Sequence, residues 1–180
     1  MRIKFLFKKV FGLVVTPRDF FYWKIFGVLV GNKNVIKEFI AAGMPVGKKS
    51  FIVDIPNSVK INSNYFIPFM RGLFDTDGCI SFQKSYGKNS SVWQKEKRHR
   101  PIIKFTTVSK KLALSCLETL QKIGFKFREK TYTPKNPNWN TSYALVLDGK
   151  ANAKRFFKVI KPKNQKHQNK FNIWLNQGFY

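Results

Sequence analysis

The amino-acid sequence predicts an α+β fold, in which an antiparallel sheet carries helices on one face and leaves the other face open. From residue 64 onward, segments with apolar residues at helical spacing and segments that alternate apolar with polar residues follow the order helix, two strands, helix, two strands, helix. A sheet with helices on only one face produces this one-sided alternation along its strands. The predicted core is therefore an αββαββα unit.

The first predicted helix of this unit begins at Asn64, which we expect to cap it, and ends before Gly78. Its apolar residues recur at intervals of three and four positions, the spacing of a helix with one buried face. They are Phe66, Phe69, Met70, Leu73 and Phe74. A small-residue row at four-residue spacing consists of Pro68, Gly72 and Thr76. Because glycine inside a helix costs about 1 kcal/mol relative to alanine, this row predicts that another helix approaches closely there.

Two of the nine acidic residues of the chain, Asp75 and Asp77, lie in the last turn of this helix, before Gly78, which we expect in the left-handed conformation. The helix macrodipole disfavours a carboxylate at this end by roughly 0.3–1 kcal/mol. The two side chains lie about 200° apart around an ideal helix, so only one of them can point at a given metal ion. If two such helices pack through the small-residue row, their carboxylates converge and require a divalent cation to stay ionised.

The composition indicates a polyanionic partner. The chain of 180 residues has 34 lysines and arginines, a formal net charge of +25 and an isoelectric point near 10.3. Its basic residues are interleaved with apolar ones, which favours a folded binding surface over a low-complexity basic tail. No apolar run reaches the roughly 18 residues that span a bilayer. Cys79 and Cys116 have neither disulfide nor metal spacing, so we expect a prokaryotic cytoplasm or an organelle, without secretion or membrane partner.

We expect residues 1–63 to form an N-terminal extension, packed on the core or on a partner subunit, and residues 64–180 to form the core unit of one compact domain. Within the extension, the apolar segment 20–31 predicts a buried strand. Asn32 predicts the cap of a short helix that ends at Gly43.

Each later element of the core has its own sequence signal. Ser109 is expected to cap a helix that ends at Gly124. The other predicted elements are strands over residues 79–85, 100–106, 125–132 and 142–147, a helix over 150–160, a basic connector over 161–168 and a last helix that carries Phe171, Trp174 and Leu175.

The open face of the predicted sheet is polar and basic. Its residues are Ser81, Gln83, Ser85, Arg100, Lys104, Thr106, Lys126, Arg128 and Lys130. A charged solvent face is ordinary for a one-sided sheet, but the strong excess of positive charge favours double-stranded DNA as the partner. Glutamine and arginine side chains can read base edges in the major groove, and lysines can contact phosphates.

Residues Met70–Gly78, together with the flanking Tyr65–Phe69 and Cys79–Phe82, resemble the LAGLIDADG motif of homing endonucleases and related intron maturases. The resemblance covers residues 64 to about 175 and implies the αββαββα fold with a saddle-shaped sheet. The chain carries one copy of the motif, whereas a complete site takes two. The resemblance therefore implies a homodimer joined through the small-residue row, on a long and roughly palindromic site.

The resemblance also implies an intron-encoded, site-specific endonuclease that breaks both DNA strands by magnesium-dependent phosphodiester hydrolysis, with no small-molecule substrate. Manganese or calcium can replace magnesium in binding. By the same resemblance, Asp77 binds the metal and orients the attacking water, and the carbonyl of Thr76 is a further ligand. Ser109 and Lys166 are the best matches to the polar residues that surround the catalytic centre in the family.

The sequence leaves other functions open. An RNA maturase on the same scaffold would help an intron to fold without cutting DNA, and a non-catalytic DNA-binding protein would use the sheet alone. The presence of Asp77 favours the nuclease over the maturase, and in a non-catalytic DNA-binding protein a change of Asp77 would have no functional effect. A degenerate half of a two-motif enzyme, active only with a partner, is a third alternative.

Overall fold

The computed structural model describes residues 2–84, 99–178 and 180. Contacts within the chain divide it into two compact units, Met1–Met44 and Pro45–Tyr180. None of the helices in the described part of the chain combines the length and the apolar character that a membrane crossing requires.

The first unit consists of two helices and a small antiparallel hairpin. Its elements are α1 (Arg2–Phe11), β1 (Arg18–Phe20), β2 (Ile25–Gly27) and α2 (Lys33–Ala41). Asn32 caps α2 as predicted, because its side-chain oxygen accepts hydrogen bonds from the main-chain N–H groups of Asn34 and Val35 at 3.0 and 3.2 Å. Aromatic contacts of Phe39 with Phe7 and Phe11 join α1 to α2.

The single buried strand predicted for residues 20–31 is wrong. The segment folds back at a short 3-10 turn, Phe21–Trp23, and Lys24 then adopts a left-handed conformation with φ of 50°. Phe21 and Tyr22 are 86% and 93% exposed at this turn. An apolar run does not reveal a turn within it when no glycine or proline marks the position.

The second unit begins with a short helix, α3 (Asn57–Ile61), and then follows the predicted order. Its elements are α4 (Ser63–Asp77), β3 (Gly78–Lys84), β4 (His99–Thr107), α5 (Lys110–Lys122), β5 (Arg128–Tyr132), β6 (Ser142–Asp148), α6 (Lys150–Ile160) and α7 (Gln165–Gln177). The four strands pair antiparallel in the order β3-β4-β6-β5. The predicted αββαββα unit is confirmed, and β3, which follows α4 directly, is an edge strand.

The hydrophobic core lies between one face of this sheet and the helices. The inward strand residues are at most 2% exposed: Ile80, Ile103, Phe105, Leu145 and Leu147. The helical residues opposite them are at most 1% exposed: Phe66, Met70, Phe74, Leu120, Phe156 and Ile160. Burying one such side chain contributes about 1.5–3 kcal/mol. The core therefore holds α4, α5, α6 and α7 on one side of the sheet and leaves the other face open.

Residues 45–63, which the sequence analysis grouped with the extension, belong to the second unit. Ile55 is buried in its core, and the neighbouring Asp54 forms an ion pair with Lys60. Burial alone raises the pKa of the Asp54 carboxyl, but hydrogen bonds from Lys60, from Ser115 on α5 and from the Ile55 N–H together hold that pKa below its usual value. Asp54 therefore joins this segment to α5.

The strand predicted over residues 125–132 begins later, at Arg128. Gly124, with φ of 83°, ends the preceding helix, and the N–H of Phe125 still bonds to the carbonyl of Leu120 at 2.9 Å. Phe125 and Phe127 are buried. The main-chain N–H of Phe125 is engaged at the end of α5, so it does not pair in the sheet.

Both ends of α4 differ from the prediction. Asn62, and not Asn64, is the cap, since its side chain accepts a hydrogen bond from the Asn64 N–H at 3.0 Å. Gly78 is extended, with φ of −80° and ψ of 160°, and not left-handed. A Cβ atom at Gly78 would lie 2.2 Å from the ring of Phe74 and 2.4 Å from its carbonyl oxygen. Glycine is required here because the chain turns from helix to strand directly against Phe74.

We predict that Gly78→Ala lowers the free energy of unfolding by about 1–3 kcal/mol, because the main-chain oxygen of Phe74 cannot move aside without distorting α4. Urea denaturation followed by tryptophan fluorescence measures this change. Gly72→Ala in the same helix is the control, since in the part of the chain that the structure describes its Cβ meets no atom within 4 Å outside the backbone of its own helix. At low protein concentration it should keep or raise stability, and equal effects of the two substitutions would contradict the steric explanation.

Candidate functional site

One side of α4 is flat and exposed. Pro68, Gly72 and Thr76 all lie on it, and a Cβ atom at Gly72 would meet no atom of the described residues outside its own helix backbone within 4 Å. The hydroxyl of Thr76 donates back to the carbonyls of Gly72 and Leu73 at 3.3 and 3.0 Å, so it does not project outward as a free polar group. The small-residue row is therefore accessible to another helix, and the interface predicted there stays a prediction.

Asp75 is turned toward the beginning of α7. Its carboxylate accepts hydrogen bonds from the main-chain N–H groups of Lys163 at 2.8 Å and Asn164 at 3.0 Å, and the Asn164 amide donates to the Asp75 carbonyl at 2.8 Å. The N-terminus of a helix attracts negative charge, which offsets the unfavourable position of Asp75 at the end of α4. Asp75 is thus engaged by the start of α7, which leaves Asp77 as the carboxylate of this turn that can point at a metal ion.

His167 packs in the same contact between α4 and α7. It is buried, and its ring lies 4.9 Å from that of Phe74. Burial lowers the pKa of His167, the carboxylate of Asp75 opposes this, and Lys166 and Lys170 lower the pKa further. The imidazole is therefore neutral at pH 7 and serves as part of the packing.

Asp77 has the opposite environment. Its side chain is exposed, and within the described residues it has no hydrogen-bond or ion-pair partner. The carbonyl of Thr76 belongs to the last turn of α4, where carbonyl groups lack intrahelical donors. In the part of the chain that the structure describes, no three acidic, histidine or cysteine side chains form a group that could hold a metal. A single chain therefore offers one available carboxylate at this point, and a complete cation site needs a second contribution.

The two other residues predicted near the catalytic centre are placed differently. Ser109 is fully buried, and its hydroxyl donates to the carbonyl of Val53 at 2.6 Å and accepts from the Leu112 N–H at 3.3 Å. The hydroxyl of Ser109 is thus engaged as the cap of α5, and the catalytic role predicted for this residue stays a prediction. Lys166 is exposed in the first turn of α7, and not in a connector, two residues after Asn164.

Seven of the nine predicted DNA contacts lie on strands, on the face of the sheet away from the helices: Ser81, Gln83, Arg100, Lys104, Thr106, Arg128 and Lys130. Lys126 lies just before β5, and like these seven it is exposed or half-exposed. The ninth, Ser85, lies outside the described residues. Paired residues of antiparallel strands share a face, so the register places Gln83 beside Arg100 and Cys79 beside Lys104.

Asp148 on the open face was not predicted. It pairs in register with Ile102, and its side chain is only 14% exposed. Its Oδ2 atom forms an ion pair with Arg128 on β5 and lies 3.9 Å from a guanidinium nitrogen of Arg100 on β4. Among the described strand residues of this face, Asp148 is the one carboxylate. The sequence signal was available, since the alternation of Ala144 and Val146 continues to Asp148 when the strand is extended by one residue.

The fold and the motif helix define the class of the protein. A family model described as a LAGLIDADG-like domain matches residues 67–161, from the first half of α4 to the end of α6 and more than half of the chain. The chain belongs to the LAGLIDADG family, which contains homing endonucleases and related maturases. A comparison with curated proteins found no match.

We predict that Asp75→Asn lowers the free energy of unfolding by about 1–3 kcal/mol, because the main-chain N–H groups at the start of α7 lose a charged acceptor. Asp77→Asn is the matched control, and stability should be unchanged or slightly raised, since an unpaired carboxylate leaves the negative end of a helix. Urea denaturation of both variants measures the difference. A larger loss of unfolding free energy for Asp77→Asn than for Asp75→Asn would show that Asp77, and not Asp75, is the carboxylate that stabilises the fold.

Proposed function

We propose that the protein is a site-specific, magnesium-dependent homing endonuclease that cuts both strands of a long, roughly palindromic DNA site as a homodimer. The observation that carries this proposal is the contrast between the two carboxylates of α4. Asp75 is used by α7, whereas Asp77 is exposed and has no hydrogen-bond or ion-pair partner among the described residues, at the joint between the flat side of α4 and the basic sheet. A carboxylate that the fold itself does not use, at the end of a family motif, is the natural candidate for catalysis.

Dimerisation is supported by the incompleteness of the site in one chain. Packing the small-residue row of α4 against the same row of a second copy is an isologous contact, in which each chain offers the same surface. Gly72 permits the two main chains to approach closely, since none of the described residues occupies the space above it. Such a contact brings the two copies of Asp77, which lies at the end of the same helix, toward each other.

The donor set at this joint suits magnesium, which prefers oxygen ligands such as carboxylates and carbonyls. Asp77 would hold the ion through its carboxylate, with the Thr76 carbonyl as a further ligand, and each chain of the dimer would supply one such set. When bound, the ion lowers the pKa of a coordinated water and stabilises the leaving oxygen. The cations of the sheet position the duplex, and Lys166 lies on the helix end that Asp75 contacts, where it can bind a phosphate.

An intron RNA maturase is the second candidate, and one observation favours it. A groove of about 720 Å³ between α6 and α7 lies on the helical side of the second unit, away from the open sheet face. Its lining includes Lys154, Lys158, Lys161 and Lys163, and within the described residues none of their side-chain ammonium groups forms an ion pair with an acidic side chain. Such a groove can bind a nucleic-acid backbone that the sheet does not contact. A maturase would bind intron RNA without cutting DNA.

We predict that the protein with magnesium linearises a plasmid that carries the intronless allele of its host gene. Asp77→Asn should reduce the rate at least about 10²-fold, since several kcal/mol of metal-dependent stabilisation are lost, and gel-shift affinity for the same DNA should remain. Glu118→Gln, at an exposed position of α5, makes the same charge change and should cut normally. Loss of DNA binding by Asp77→Asn would reassign the residue to folding, and unchanged cutting would contradict its catalytic role.

We also predict that Gly72→Leu yields an inactive monomer, because an isobutyl group separates the two copies of α4. Sedimentation at several concentrations measures the association, and plasmid cleavage measures the activity. Glu118→Leu adds the same side chain to an exposed position of α5 and should leave both readouts unchanged. An active dimer of Gly72→Leu would remove the proposed interface.

A further inference from the structure

The carboxylate of Asp148 opposes the function proposed for the face on which it lies. A duplex is a polyanion, and a negative charge among the cations that contact it reduces affinity. The side chain is nevertheless held in the plane of that face, 14% exposed, between two arginines whose own side chains are 56% and 58% exposed. A role other than attraction of DNA is required to explain it.

The strand register fixes the position of this carboxylate. Asp148 pairs with Ile102 of β4, and two residues earlier Val146 pairs with Arg128 of β5. Adjacent strands lie about 4.8 Å apart, so the side chains of Arg100 and Arg128 start from strands on opposite sides of β6 and converge on one oxygen of Asp148.

The main chain around Asp148 is also fixed. Its carbonyl accepts a hydrogen bond from the side chain of Asn152 at 2.7 Å, and the N–H of Gly149 donates to the carbonyl of Pro101 at 3.0 Å. The carboxylate is therefore attached to an ordered end of β6. A fixed acceptor limits the orientations of a flexible arginine and prepares its guanidinium group for a geometrically defined contact.

We propose that Asp148 is a specificity-determining residue that, with Arg128, selects a G·C base pair through the major groove; this inference rests on the proposed function. Arginine makes two parallel hydrogen bonds to O6 and N7 of guanine, and a carboxylate accepts from N4 of cytosine. Oδ2 of Asp148 is engaged by the arginines, whereas Oδ1 has no hydrogen-bond partner within the described residues. Arg128 thus offers donors for the guanine, and Asp148 offers an acceptor for the cytosine of the same base pair.

The same arrangement rejects an A·T pair. Adenine presents an amino group where guanine presents O6, so the second donor of Arg128 meets another donor. A purely structural ion pair between Asp148 and Arg128 would leave base preference unchanged, because neither side chain would then contact a base. A measurement of base preference therefore distinguishes a pair that contacts the bases from a pair that serves only the fold.

Selection from a pool of randomised DNA duplexes tests the proposal with the full chain. The wild-type protein should enrich sites with a G·C pair at a symmetric pair of positions. Asp148→Asn should reduce the discrimination at these positions by between about 5-fold and 150-fold, the range of one bidentate contact, while its affinity for random duplex rises because a negative charge is lost. Thermal unfolding of the variant checks that the fold is retained.

Two further variants complete the design. Arg128→Lys keeps the positive charge and can keep the ion pair, but it loses the bidentate hydrogen-bond donor, so the preference for G·C at the same positions should be lost. If Asp148→Asn does not fold, the result for Arg128→Lys tests the proposal in its place. Lys130→Gln, on the same strand, should weaken binding to all sequences alike and reduce the salt dependence by about one phosphate contact.

The outcomes separate the inference from the proposed function. Retention of the G·C preference by Asp148→Asn or by Arg128→Lys would overturn the role of the pair and leave the endonuclease intact. A wild-type protein that enriches no sequence would contradict both the site-specific endonuclease and the inference. A protein that enriches a G·C pair but cuts no plasmid would contradict the endonuclease alone.

Discussion

The contact between the end of α4 and the beginning of α7 is the constraint on which the rest of the site depends. Asp75 accepts hydrogen bonds from the main chain at Lys163 and Asn164, and Arg71, one turn earlier, donates to the carbonyl of Ile160 at 2.7 Å. Helix α4 is thereby attached to both ends of the linker between α6 and α7. Because Asp75 is turned into this contact, the helical geometry turns Asp77 out of it.

The open face of the sheet has a shape as well as a charge. The register aligns Lys104, Val146 and Arg128 across three strands, and Thr106, Ala144 and Lys130 in the next row. Longer basic side chains on β4 and β5 therefore flank the short apolar side chains of β6. The result is a shallow strip bordered by cations. Because the chain has a net charge of +25, an anion that lies along this strip reduces the repulsion among the positive charges of the protein.

The order of elements and the buried faces could be predicted from the sequence because both follow from periodicity, and the core of Phe74, Ile103 and Leu145 confirms them. Contacts between distant segments could not be predicted in this way. The pairing of Asp75 with the start of α7 joins residues 88 positions apart, and no local pattern encodes it. Gly78 shows a further limit, because the sequence indicates that glycine is needed there but does not distinguish a left-handed turn from a lack of space.

The turn at Gly78 has a mechanical consequence. Helix α4 passes into β3 without an intervening loop, so the direction of the helix and the tilt of the sheet cannot vary independently. In a pair of chains packed through α4, the angle at which the two helices cross then determines how far apart the two open faces lie along a duplex. The length of DNA that the assembly spans would be set by helix packing, and a residue at the centre of the interface could change it without contacting DNA.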